Sequence, residues 1–175
     1  MTRLKTMLPI VPNAPAVVLP DPDTKAPFHI VKESPIHGKG VFALCDIAFD
    51  TRIIEYCGER IDEDTANDRG SHDPDNPFHT FFFSMESGLM IDGHVDGNDA
   101  RWINHACAPN CETREEQERI YIYALRDIQA GEELNYDYGL IIESRYTKKL
   151  KQSYACRCGA SDCRHTMLAA KKRKS

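Results

Sequence analysis

Three cysteines within eight residues, Cys156, Cys158 and Cys163 in CRCGASDC, constrain this chain more than any other feature. A structural zinc site takes four tetrahedral ligands, one more than this segment supplies. The fourth must come from a distant stretch, so a zinc-binding tail has to fold back onto the body. Cys107, in RWINHACAPNC, is the best candidate because its neighbours are already dense in polar groups, and Cys111 is the reserve. Cys45 and Cys57 stand in strand-like runs and read as buried apolar residues. A chance cluster of free thiols is the alternative. Seven cysteines in all, an odd count, suit metal thiolates in a reducing compartment, nuclear or cytoplasmic, better than a disulfide framework.

At 175 residues the chain holds one compact domain with ragged ends. Six of its ten prolines precede Phe28, which makes residues 1–27 a leader or linker; those prolines also break its apolar part before it reaches the length of a secretion signal. No apolar run approaches the ~20 residues of a spanning helix, so no membrane partner is expected. Net charge is 22 − 27 = −5, but the last 25 residues hold seven Lys or Arg against one Asp. An acidic body disfavours direct nucleic-acid binding, which needs clustered cations, and attracts a cationic partner such as a Lys-rich peptide. The terminal KKRKS, residues 171–175, is a nuclear-targeting patch or a solvated end.

From Phe28 onwards short β-type runs alternate with Gly and Asp: FHIVK, GVFAL, TRIIEYC, TFFFSM, LMIDG and RIYIYAL. In the last, Ile120, Ile122 and Ala124 alternate with Tyr121, Tyr123 and Leu125, and two such faces place the strand between two layers. Residues 61–70 suit a short acidic helix, 140–150 a second helix, and SHDPDNP a loop. The fold class expected is mainly β with few short helices.

Three further segments carry chemistry. IHGKG offers two glycines for a tight turn or a close ligand approach, although a plain hairpin entry would use them equally well. RWINHACAPNC shows no periodicity, and its Asn104 and His105 are either site residues or satisfied core groups. In GEELNYDYGL the period of two sets Tyr136 and Tyr138 on one side, facing a cavity or the surface.

In this order these segments resemble the SET domain of protein-lysine methyltransferases, most of all the trithorax / mixed-lineage-leukaemia type with its post-SET tail. The match runs over roughly residues 28–168 and rests on INHACAPNC, EELNYDY and CRCGASDC, with IHGKG and EYCGE in support. The resemblance implies small curved sheets with a pseudoknot in residues 28–150, a post-SET zinc segment in 151–168, and a basic tail from 169 to 175. It implies that His37, Lys39, Gly40, Phe81, Arg101, Asn104 and His105 bind S-adenosylmethionine, and that Cys107, Cys156, Cys158 and Cys163 bind zinc. Tyr56, Tyr136 and Tyr138 would line a channel for the target lysine, with Tyr138 the catalytic tyrosine.

The implied activity is methyl transfer to the side-chain amine of a protein lysine, with a histone tail as the leading substrate and accessory subunits an open requirement. A bacterial source would make secretion into a host a further setting. Family members carry Phe or Tyr at the position of Tyr136, and Tyr implies mono- or dimethyl product. Three departures stand out: Phe81 where relatives carry a cofactor-contacting Tyr, Ala106 where they carry Ser, and no cysteine-rich segment before Phe28. A non-catalytic adaptor for lysine-containing tails is the rival reading, which retention of all three tyrosines disfavours; a zinc-knuckle nucleic-acid binder is the third.

Overall fold

The computed structural model describes residues 27–71 and 80–170. The Pro-rich leader up to residue 26, most of the SHDPDNP loop and the basic end from 171 lie outside them. The described strands are β1 (His29–Glu33), β2 (Lys39–Ala43), β3 (Arg52–Tyr56), β4 (Glu59–Ile61), β5 (Phe82–Ser84), β6 (Met90–Asp92), β7 (Asn104–His105), β8 (Cys111–Glu116), β9 (Arg119–Ala124) and β10 (Glu133–Tyr136). Helices are few: α1 (Glu63–Arg69), a single 3-10 turn over Asp99–Trp102, and α2 (Lys148–Ser153). The mainly β expectation holds.

Strands of two to six residues cannot span a large sheet, and they form three small ones, ordered β1-β2-β10-β7, β3-β9-β8 and β4-β6-β5. Most neighbours are antiparallel. β7 and β10, about 30 residues apart in sequence, pair in parallel, with Asn104 opposite Asn135 and His105 opposite Tyr136. That pairing sets the polar segment beside the tyrosine strand. Two side chains fasten it: Asn110 and Asn135 each accept the other's backbone N–H, at 2.9 and 3.1 Å. The core lies beneath the sheets, with Val41, Ile47, Ile103, Ile122, Ile128 and Leu134 at most 2% exposed. Each such side chain contributes about 1.5–3 kcal/mol by leaving water.

β9 departs from the sandwiched strand expected. Its Ile120, Ile122 and Ala124 are buried, but Leu125 is exposed and the tyrosine face is roofed by guanidinium groups instead of a second layer. Arg52 and Arg119 lie over the Tyr121 ring and Arg114 lies 4.2 Å from the Tyr123 centroid, which shields the rings while leaving the charges wet. The β8–β9 hairpin turns through Gln117 and Glu118, both at positive φ (50° and 60°), where Asn-Gly would be unstrained.

The second helix also starts later than residues 140–150 suggest. Thr147 caps α2 by accepting the Leu150 N–H at 3.1 Å, whereas Leu140 is drawn into a parallel bridge with Leu168. Burial of Leu168, 1% exposed, overrides the local helical pattern there. No residue of α2 itself is buried.

Candidate functional site

Loop 34–39 is built by Asn104. Its side-chain nitrogen donates to the Lys39 carbonyl at 2.9 Å and to Glu133 Oε1 at 2.8 Å, with the Ser34 hydroxyl at 3.1 Å and the His37 carbonyl at 3.3 Å close by. Ser34 in turn donates to the same Glu133 oxygen at 2.7 Å. Gly40 is required here, because a Cβ would stand 2.4 Å from that oxygen. The Asn104 side chain therefore holds the IHGKG loop against β10 and presents it outward, with His37, Gly38 and Lys39 exposed. Ser34 and Glu133 went unmarked in the sequence, since a lone Ser and one Glu of a Glu-Glu pair carry no local signal.

Beside this loop the Lys39 ammonium lies 4.8 Å and the Arg101 guanidinium 4.9 Å from the Trp102 ring centroid. Arg101 donates to the Gly93 carbonyl at 3.1 Å, but its Nε is buried with no hydrogen-bond partner among the described residues. Two cations and an unmet donor around one indole suit a ligand with a carboxylate at one end. Phe81 meets the same indole edge-on, at 5.1 Å between centroids.

The three tyrosines converge. Tyr136 and Tyr138 lie 4.9 Å apart, and Tyr56 reaches Tyr136 through Phe83, with centroid separations of 5.4 and 6.3 Å. Tyr56 donates its hydroxyl to the Phe81 carbonyl at 2.7 Å, across Gly93, whose missing side chain leaves room for the phenol. Phe81 thus contributes its backbone to the cluster. Tyr138 donates to the Ile103 carbonyl at 2.7 Å. Burial first, then the neighbouring phenols, holds the Tyr56 and Tyr136 hydroxyls well above the ordinary phenol range. Burial and then Glu133 do the same for Tyr138. All three are neutral hydroxyls at physiological pH.

His105, 4% exposed, joins this cluster to the tail. Its Nδ1 accepts the Tyr138 N–H at 3.1 Å, which leaves the proton on Nε2, 3.5 Å from the Cys107 sulfur. Burial holds the ring down to about 4 despite nearby Asp137, so it is neutral and their 3.5 Å approach is no ion pair. It is thus a satisfied core histidine that also links the tyrosine strand to Cys107.

Cys107, Cys156, Cys158 and Cys163 bring four sulfurs within 4.8 Å of one another. Cys107 lies 3.7 Å from Cys156 and 3.8 Å from Cys163, against a tetrahedron edge of about 3.8 Å for zinc–sulfur bonds of ~2.3 Å. Each sulfur also accepts at least one backbone N–H, those of Arg164, Cys158, Cys107 and His165 in turn lying at 3.3–3.5 Å. Such donors stabilise thiolates, which a metal requires. Burial pushes the Cys158 thiol up, yet the N–H groups of Cys107 and Ala160 together with the Cys156 and Cys163 thiols bring it down to about 7. Burial holds Cys107 and Cys156 above the ordinary thiol range. Cys111, the reserve candidate, is not in this group: it is 1% exposed in the apolar core, and burial pushes its thiol up to about 12. Cys45 and Cys57 are half-buried, short of the full burial expected.

Asp137, between the two tyrosines, receives both terminal nitrogens of Arg164 at 2.7 Å. Burial opposes ionisation of this carboxyl, but Arg164 prevails and holds it below its ordinary value. The ion pair ties the tail to the tyrosine strand.

Small sheets, a parallel splice between a polar segment and a tyrosine strand, and a four-cysteine cluster adjoining both define a β-domain built around a set of converging phenols. The chain belongs to the SET domain family, whose sequence profile matches residues 38–139. It is 39% identical over 136 residues to the "Histone-lysine N-methyltransferase, H3 lysine-4 specific" of Candida albicans, and 38% over 138 residues to human "Histone-lysine N-methyltransferase 2B". The trithorax protein of Drosophila virilis is 35% identical over 138 residues. These matches cover 75–77% of the chain but only 13%, 5% and 3% of the relatives' lengths.

Proposed function

We propose that this chain transfers a methyl group from S-adenosylmethionine to the side-chain amine of a lysine in a histone tail. The observation that carries this reading is the convergence of Tyr56, Tyr136 and Tyr138 in one buried cluster beside the Asn104-held loop. S-adenosylmethionine supplies an electrophilic methyl on a sulfonium sulfur; its carboxylate suits Lys39 and Arg101, and the exposed edge of His37, Gly38 and Lys39 suits the rest of it. The lysine's free pKa is ~10.4, and a site walled by aromatic rings favours the neutral amine.

Neutral phenols cannot serve as strong bases. With its proton committed to the Ile103 carbonyl, Tyr138 keeps oxygen lone pairs to accept an amine N–H and so aim the nitrogen lone pair. Alignment of this kind, more than proton abstraction, is the chain's contribution to the barrier. Tyr136 offers a second hydroxyl that crowds an already methylated amine, which favours mono- or dimethyl product.

Zinc in the four-cysteine centre supplies no chemistry to the transfer. Through it the Cys107–His105–Tyr138 hydrogen bonds and the Asp137–Arg164 pair hold the tail against the tyrosine strand. The relatives named for H3 lysine-4 make that lysine of the histone the first to test, and a chromatin substrate places the protein in the nucleus. The test is transfer of labelled methyl to an H3 tail peptide, beside the same peptide with an arginine in place of that one lysine. Label on the first and not the second supports the reading in full. Cofactor binding without transfer to any core histone would favour the adaptor.

A further inference from the structure

We propose that the face formed by α2 and the zinc-tail loop docks the phosphate backbone of nucleic acid. Charge is sharply divided along the chain: residues 1–139 hold 12 Lys or Arg against 25 Asp or Glu, and residues 140–175 hold 10 against 2. The acidic body that argues against nucleic-acid binding is thus a different surface from this one. Two adjoining grooves here share Tyr146, Lys151 and Arg164; Arg145 lines one and Lys148 the other. Lys148 and Lys151 stand three apart on α2, the interval that keeps side chains of a helix on one face, and Arg145 lies in the segment just before the cap Thr147.

The cations of the two regions are used differently, apart from Arg164, which both grooves share and which is paired with Asp137. On the body Arg69, Arg114, Arg119 and Arg126 are each tied to a carboxylate. Arg145, Lys148 and Lys151 are exposed, and none is in an ion pair among the described residues. Ala170 lines the first groove, and the four cations of KKRK follow it directly in sequence. Phosphate is the favoured ligand because the stripe offers cations at intervals with a phenol between them, and no carboxylate lines either groove. Each neutralised phosphate releases a counterion and adds about 0.9 to the salt dependence of binding.

Fluorescence anisotropy of a labelled 20-base-pair duplex with the whole chain, between about 50 and about 200 mM salt, tests the idea. Wild type should bind, with affinity falling steeply with salt. R145E/K148E/K151E should lower the log–log slope by about three and weaken binding at least about tenfold, with its metal content unchanged. Arg145→Gln, Lys148→Gln and Lys151→Gln singly, each lowering the slope by about one, decide the matter if the triple variant misfolds. No binding at low salt would overturn the proposal. So would wild-type affinity in all these variants, which would leave the basic end as the binder, or tighter binding of a poly-glutamate peptide than of the duplex. None of these outcomes depends on the methyltransferase reading.

Discussion

The tyrosine cluster and the cysteine tail meet at one site but are held by opposite means. Tyr56 and Tyr136 are 4% and 8% exposed and rest on the same apolar core as Ile103, Ile122 and Leu134. Along the tail, by contrast, α2 buries nothing, and Thr166 and Leu168 are its only buried residues from 141 to 170. Packing positions the phenols; four sulfurs, one ion pair and one buried leucine position the tail beside them. A domain divided this way can lose the tail and keep the phenols, and the stability of each half answers to different perturbations.

The largest effect should separate the halves most clearly. Cys158→Ser, or chelation of the metal, should abolish methyl transfer by more than about a hundredfold, because a structural zinc site supplies much of the folding energy of its own segment. Hydrogen exchange should then rise across residues 141–167 and stay slow in β2, β9 and β10. Equal loss of protection in both regions would break the comparison. Tyr138→Phe should cost about a hundredfold in kcat with metal content unchanged, since a misaligned amine alone costs that much.

Arg164→Ala removes an ion pair whose partners are 32% and 36% exposed, so solvent leaves it worth at most ~1 kcal/mol and transfer should fall about threefold to fivefold. Asp137→Asn should do the same, and the double variant should be no worse than either. Tyr136→Phe should raise the share of trimethylated product on an H3 peptide read by mass spectrometry, with little change in total label. Smallest of all, Gln117→Asn with Glu118→Gly should stabilise the core by about 0.5–1 kcal/mol by relieving two positive φ angles. Transfer at moderate temperature should not change.

The tail was legible in the sequence because its signal is local: CRCGASDC states three ligands outright, and Cys107 stands out by its company. Tyr136 and Tyr138 declared themselves by spacing. β7 and β8 were hidden because their residues, NH and CETREE, carry little strand pattern, and the partners that order them lie about 30 residues on or across a hairpin. Asn104 was legible as a site residue or satisfied core group but not as a clamp, because its acceptors Ser34 and Glu133 come from segments 70 and 29 residues away. The misplaced second helix has the same origin, for nothing near Leu140 announces that Leu168 will claim it.

That pairing of Leu140 with Leu168 changes what metal loss means. The cysteine segment is not a free end but the interior of a closed loop, fastened at its base by the Leu140 and Ala169 N–H groups. A metal lost from the four sulfurs would leave the three tail cysteines tethered in that loop, at an effective concentration around Cys107 set by the loop's length. Recapture of a metal is then a unimolecular closure, quick and indifferent to protein concentration.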